Sequence, residues 1–211
     1  MKVCMIDGSP KNKDSCSRYL IDEIAKLLNS TVEVIVCNAR EKACSAESLN
    51  SIYGCDAIVF VFPLYVDGIP SHLITFLQQL EEYIKQQPAK SIRVYAVSNC
   101  GFFEGKQNKN ALEIIENYCD HTGLIWSMGL GIGAGPFICE SISMPWNSSI
   151  KKPVYQALVA IKDGIENGET QNQYLFATVK MPRIMYVIGG NLGWIMRSKR
   201  NKFKIRDLYK R

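Results

Sequence analysis

Gly8, Ser9, Lys11, Lys13, Ser15 and Ser17 crowd one short stretch, just after the apolar run Val3-Cys4-Met5-Ile6. A glycine permits a sharp turn, hydroxyls donate hydrogen bonds and lysines add positive charge. The stretch runs into a helical pattern with Leu20, Ile24, Leu27 and Leu28 on one side. The first-turn N–H groups of a helix have no partner inside it, and the helix dipole favours negative charge there. Strand, polar loop and helix N-terminus together form a phosphate cradle. The same residues also suit a plain strand-to-helix connection capped by Asp14 or Ser15. The GK[ST] ending of a P-loop is missing, as are the three glycines of a dinucleotide fingerprint, so neither chemistry follows from this loop.

Two further stretches carry residues of the same kind. Pro63-Leu64-Tyr65-Val66-Asp67-Gly68-Ile69-Pro70 follows the apolar run Ile58–Phe62, and Asn99-Cys100-Gly101-Phe102-Phe103-Glu104 follows Ile92–Val97. The eight cysteines are scattered, without a CxxC pair. The expectation is reduced thiols acting as small hydrophobes, with no zinc or iron–sulfur site. His72 and His121 are the only histidines, and no ligand set surrounds either.

Five apolar runs must position these loops: residues 3–6, 31–36, 58–62, 92–97 and 124–130. Run 58–62 lacks alternation, which fits a strand buried on both faces of a parallel sheet. Helical spacing falls between them: Leu20 to Leu28, a short segment near Ala46–Tyr53, Ile69 to Ile84 with Pro70 in the first turn, Ala111 to Cys119, and Val154 to Ile165 closed by Asn167-Gly168. Strands alternating with helices imply right-handed parallel crossovers and an open three-layer α/β sheet. Ligands of such sheets lie beyond the carboxyl ends of the strands, where the three polar loops fall. The spacing Gly129-x-Gly131-x-Gly133-x-Gly135 does not fit a nucleotide fingerprint and reads as a loop passing close to another backbone.

With its three loops in place the sequence resembles the flavodoxin-like family of NAD(P)H-dependent FMN reductases and related oxidoreductases. Gly8-Ser9-Pro10-Lys11-Asn12 through Ser17, Pro63 through Leu77, and Ser98 through Gly105 carry the resemblance, which covers about residues 1–165. It implies a flavodoxin-like fold with strand order 2-1-3-4-5, and one FMN per subunit. Ser9, Lys11, Ser15, Cys16 and Ser17 would cradle the FMN phosphate. Pro63, Leu64, Tyr65, Val66, Asp67 and Gly68 would lie along the ribityl chain and one flavin face. Asn99, Cys100, Gly101, Phe102, Phe103 and Glu104 would line the flavin's other edge. The family usually has a small hydroxylated or amide residue where Cys16 stands, and a thiol is a weak donor. Tyr65, Phe102 and Phe103 offer flat surfaces for stacking, or simply pack their loops. The implied activity moves hydride from NAD(P)H to a small acceptor such as a quinone, another flavin or a nitro compound. No side chain need act as acid or base, and none is assigned a catalytic role. A homo-oligomer, dimer or tetramer, is also implied. The rival readings are a flavodoxin-type electron carrier, against which the basic tail weighs, and a scaffold that holds no flavin.

The chain has 211 residues, 47% apolar and 21% charged, the balance of a folded domain with some length to spare. No apolar run is long enough to span a bilayer and the N-terminus lacks the layout of a signal peptide, so the expected location is the cytoplasm. The division expected is an FMN-binding domain over 1–175 and a basic, partly apolar arm over 176–211. From Lys180 onward ten Lys or Arg face Asp207 alone, whereas the whole chain has a formal charge of only +5. Three readings suit this tail: an arm packed on its own domain or a partner subunit, an interfacial basic helix against anionic lipid, or a cationic wall for an NADPH phosphate or acidic electron partner. Nucleic acid ranks last, because no recognition motif interleaves the charge.

Overall fold

The apolar runs become parallel strands because each must hide both faces under helices. The computed structural model describes residues 1–41, 43–168, 170 and 172–201. Six strands form one all-parallel sheet: β1 (Lys2–Asp7), β2 (Glu33–Asn38), β3 (Ala57–Pro63), β4 (Arg93–Asn99), β5 (Ile125–Ile132) and β6 (Gln173–Ala177). Their order is β2-β1-β3-β4-β5-β6. The expected order 2-1-3-4-5 stands, with β6 added at the edge beside β5. Every residue of β3 from Ala57 to Phe62 is fully buried, as its unbroken apolarity requires.

The helices are α1 (Cys16–Leu27), α2 (Ala46–Tyr53), α3 (Ser71–Ile84), α4 (Lys109–Thr122), α5 (Gly135–Glu140), α6 (Lys152–Asn167) and α7 (Arg183–Arg200). Leu20, Ile21 and Ile24 bury the inner face of α1, while Leu73, Phe76, Leu77 and Leu80 do so for α3. Gly123 and Gly168, at φ +73° and +68°, end α4 and α6 in the left-handed conformation that glycine adopts freely. The chain divides into two compact units, Met1–Val179 and Lys180–Arg211. The first holds the sheet and α1 to α6. The second holds α7, which runs unbroken through Gly189-Gly190-Asn191. Residues 202–211, the basic end of the expected arm, lie outside the described residues.

The glycine series also departs from expectation. Gly129 and Gly131 belong to β5, which continues to Ile132 instead of ending at residue 130. Close approach of backbone is nevertheless what the glycines permit. A Cβ on Gly131 would sit 2.6 Å from the Gly105 carbonyl oxygen, and one on Gly133 2.1 Å from that of Phe103. The β5 end and the loop after β4 therefore touch backbone to backbone. The Gly133 N–H donates to Ala177 O at 2.9 Å, which ties in β6 as well.

Candidate functional site

The carboxyl ends of β1, β3 and β4 lie side by side, with Asp7 opposite Val61 and Pro63 opposite Asn99. All three polar loops therefore leave the same rim of the sheet. Gly8 N–H donates to Val61 O at 2.8 Å and Leu64 N–H to Asn99 O at 2.8 Å, so each loop starts fixed to its neighbour.

The first loop is braced from both sides. Ser9 N–H donates to Asp7 Oδ1 at 3.0 Å, and Lys11 N–H to Ser9 Oγ at 3.2 Å. Arg40, two residues beyond β2, donates through Nη1 to the carbonyls of Ser9 (2.7 Å) and Lys11 (2.6 Å), and stands 3.5 Å from Asp7 Oδ2. His72 Nε2 donates to Gly8 O at 3.1 Å from the first turn of α3. Both braces escape sequence reading, since each acts through a neighbour that only the strand order supplies. Arg40→Met is expected to lower the melting temperature by several degrees in a thermal denaturation, because two charge-assisted hydrogen bonds to the loop are lost.

Ser15 is the N-cap of α1, its Oγ accepting from Arg18 N–H at 3.0 Å. The capping role and an anion site coexist here, for the hydroxyl proton is still available to donate. Cys16 and Ser17 open the helix, so their N–H groups have no intrahelical acceptor, and no acidic residue occupies that turn. Cys16 forms a disulfide with Cys139 of α5. This corrects the expectation of thiols alone. The two lie 123 residues apart in sequence, and α5 returns over the rim to put their Cα atoms 5.4 Å apart, a meeting no spacing rule reveals. The side chain at Cys16 thus offers no donor, only its backbone N–H.

Asn99 links the three loops. Its Nδ2 donates to Ser17 Oγ at 3.2 Å and to Phe62 O at 3.1 Å, all within the buried interior of the rim. Asn99 itself is buried at the base of its loop. Asn108 does the same for the third loop, accepting from Ser98 Oγ at 2.8 Å and donating to Gly105 O at 2.9 Å. Cys100 is buried; its N–H donates to Ile132 O and its carbonyl accepts from Gly135 N–H. Gly101 and Phe102 are exposed, whereas Phe103 and Glu104 are half-buried.

The middle loop is a tight turn. Tyr65 and Gly68 exchange both backbone hydrogen bonds, and Val66 and Asp67 between them take φ of +47° and +58°. A β-branched residue in left-handed backbone is strained, and such strain concentrates where a loop is held for a purpose. Val66 is fully exposed, Tyr65 is 48% and Phe102 54% exposed, so apolar surface is presented at the rim. Pro63, Leu64 and Gly68 are half-buried beneath it.

Burial holds the His72 imidazole below its ordinary value of 6.5. The unfolded chain therefore takes up this proton more readily than the folded one. The stability linked to His72 is complete above pH 6.5 and declines as pH falls through 6.5 toward the lower folded value. An NMR titration should place its midpoint below 6.5. Thermal stability should fall less between pH 7 and pH 5.5 in His72→Gln, whose amide can still donate to Gly8.

Residues 1–115 match the sequence profile of the family described as NADPH-dependent FMN reductase. The chain belongs to the NADPH-dependent FMN reductase family. Among solved structures, the NADH:FMN oxidoreductase EMOB in its apo form superposes with a TM-score of 0.60 at 13% identity, covering 81% of this chain and 91% of that one. The NAD(P)H:quinone oxidoreductase from Methanothermobacter marburgensis gives 0.56 at 14%, covering 79% and 97%. Smu.1420 from Streptococcus mutans UA159 gives 0.53 at 9%, covering 77% and 98%. At these identities the structures speak for the fold. No curated protein matches the sequence significantly. As a member of the FMN reductase family, the protein is an NAD(P)H-dependent flavin oxidoreductase with FMN as its cofactor. The rim fits that cofactor chemically: a helix N-terminus with no acid in its first turn and hydroxyls for a phosphate, and exposed aromatic and backbone surface for a ring system. Among the described residues no cluster of His, Cys, Asp or Glu suits a metal ion.

Proposed function

We propose that the three rim loops hold FMN and that the enzyme passes electrons from NAD(P)H to a small quinone, flavin or nitro acceptor. The carrying observation is the single Asn99 amide that joins Ser17 of the first loop's helix to Phe62 O, next to the second loop, from the base of the third. The backbone N–H groups of Cys16 and Ser17, with the hydroxyls of Ser9, Ser15 and Ser17 and the ammonium of Lys11, receive the phosphate. Pro63, Leu64 and the turn Tyr65-Val66-Asp67-Gly68 flank the ribityl chain and one ring face. Asn99 fixes the loop base from which Cys100, Gly101, Phe102, Phe103 and Glu104 approach the other edge.

FMN supplies the hydride and electron chemistry when bound, and the protein's part is to bind, orient and shield. Tyr65 and Phe102 cover the ring and exclude water, while rim N–H groups stabilise negative charge that develops on it. No side chain is needed to carry a proton. The exposed Tyr65, Val66 and Phe102 support a homo-oligomer, dimer or tetramer, that closes over this rim, and light scattering on the purified protein reads its mass. The reading is tested by a visible spectrum. A yellow preparation that bleaches on NADPH and recovers when quinone is added supports it. A protein that stays colourless in excess FMN contradicts it, and a yellow one that NADPH does not bleach is a carrier rather than an enzyme.

A further inference from the structure

The second unit places apolar residues in solvent in a regular pattern. Ile184, Ile188, Leu192 and Ile195 recur along α7 at steps of four, four and three, which is one face of a helix, with Met185 and Met196 on its flank. Five of these six are between 49% and 67% exposed. Trp194 is 66% exposed, and Arg197 lies over its ring at 6.0 Å. The side opposite the stripe holds Gly189, Gly190 and Gly193, and nothing lies within 4 Å of where a Cβ would begin on any of them. These glycines therefore admit no close backbone neighbour in the described structure. A helix of 18 residues with three glycines has little stability of its own in water, so the apolar face requires a cover.

Charge selects the cover. The described end of α7 carries Arg197, Lys199 and Arg200, and no Asp or Glu occurs between Lys180 and Arg206. A second copy of this helix would bring a like concentration of positive charge against the first. A surface of anionic lipid instead offers acyl chains for the apolar stripe, an interfacial layer for Trp194 and negative headgroups for the cations. Among the described residues no helix is long and apolar enough to cross a membrane. The helix would therefore lie in the interface.

We infer that α7 is a membrane-docking helix that seats its Ile184–Met196 stripe in the surface of an anionic bilayer. The full chain, loaded with FMN, is floated with vesicles of phosphatidylcholine alone or with about 30% phosphatidylglycerol. Binding to the anionic vesicles is expected, weakened about tenfold or more when salt rises from roughly 50 to 500 mM. Ile188→Asp with Leu192→Asp, and separately Arg197→Glu with Lys199→Glu and Arg200→Glu, should each reduce it about tenfold or more while the FMN content is unchanged. Equal binding to both vesicle types, or to neither, overturns the inference. So does a dimer in solution that the Ile188→Asp, Leu192→Asp pair dissolves, because a second copy then covers the stripe. FMN content reports on the flavin site separately, so failure of one reading does not carry the other with it.

Discussion

Gly133→Ala is expected to destabilise the protein by about 3 kcal/mol or more, which lowers the melting temperature by roughly 6–12 °C, and to weaken FMN binding with it. The added Cβ would meet Phe103 O at 2.1 Å, Gly105 N at 2.6 Å and Glu104 C at 2.8 Å. All three are backbone atoms, and no rotamer change relieves the clash. Either β5 withdraws, breaking the Gly133 N–H bond to Ala177 O, or the loop after β4 moves off the rim. Gly101→Ala is the matched control. It sits on the same loop, has nothing within 4 Å of its missing Cβ, and should leave the melting temperature within about 1 °C. Thermal denaturation of the two variants separates the cost of the close approach from any general cost of losing a rim glycine.

Asn99→Leu should cost about 2–4 kcal/mol of stability and roughly a hundredfold in FMN affinity. The side chain keeps its size and burial but leaves Phe62 O and Ser17 Oγ without the amide that served both. Each buried group stripped of its partner forfeits about 1–3 kcal/mol. The affinity falls further than a surface contact would explain, because the positions of all three loops depend on this one group. Asn99→Asp is the sharper probe: its shape is retained, yet a carboxylate cannot donate to Phe62 O. It should bind flavin as poorly as the leucine variant. Wild-type affinity in either would show that the loops are placed independently.

Much of this architecture was legible because its causes are local. The unbroken apolar run of β3, the spacing of α1, α3, α4 and α6, and the closing Gly168 follow from burial and capping that a linear sequence displays. The strand order came through the family resemblance, since no periodicity says which strands are neighbours. Where sequence reading stopped short, the cause is a contact made across the fold. The edge strand β6, Gln173–Ala177, is short and mixed in polarity because only its side toward β5 is paired. The glycines at 129 and 131 disguised a strand as a loop, because the constraint on them comes from Gly105 and from aromatic rings on β5 and β6. The Cys16–Cys139 bond and the Arg40 brace exist only once β2 lies beside β1 and α5 folds back on α1. The rim loops themselves were visible, whereas the buried bonds from Asn99 Nδ2 to Ser17 Oγ and Phe62 O were not, because they join residues far apart in the chain.

The phosphate end of the flavin carries the central claim, because the α1 N-terminus is the part of the rim whose chemistry is most specific. Riboflavin differs from FMN only in lacking that phosphate, so a titration of the apoprotein with each isolates the contribution of the cradle. FMN should bind about a hundredfold or more tighter, a difference of roughly 2.7 kcal/mol. Equal affinity for the two flavins would mean that the loop from Gly8 to Ser17 does not hold the phosphate, and the site built on it would fail.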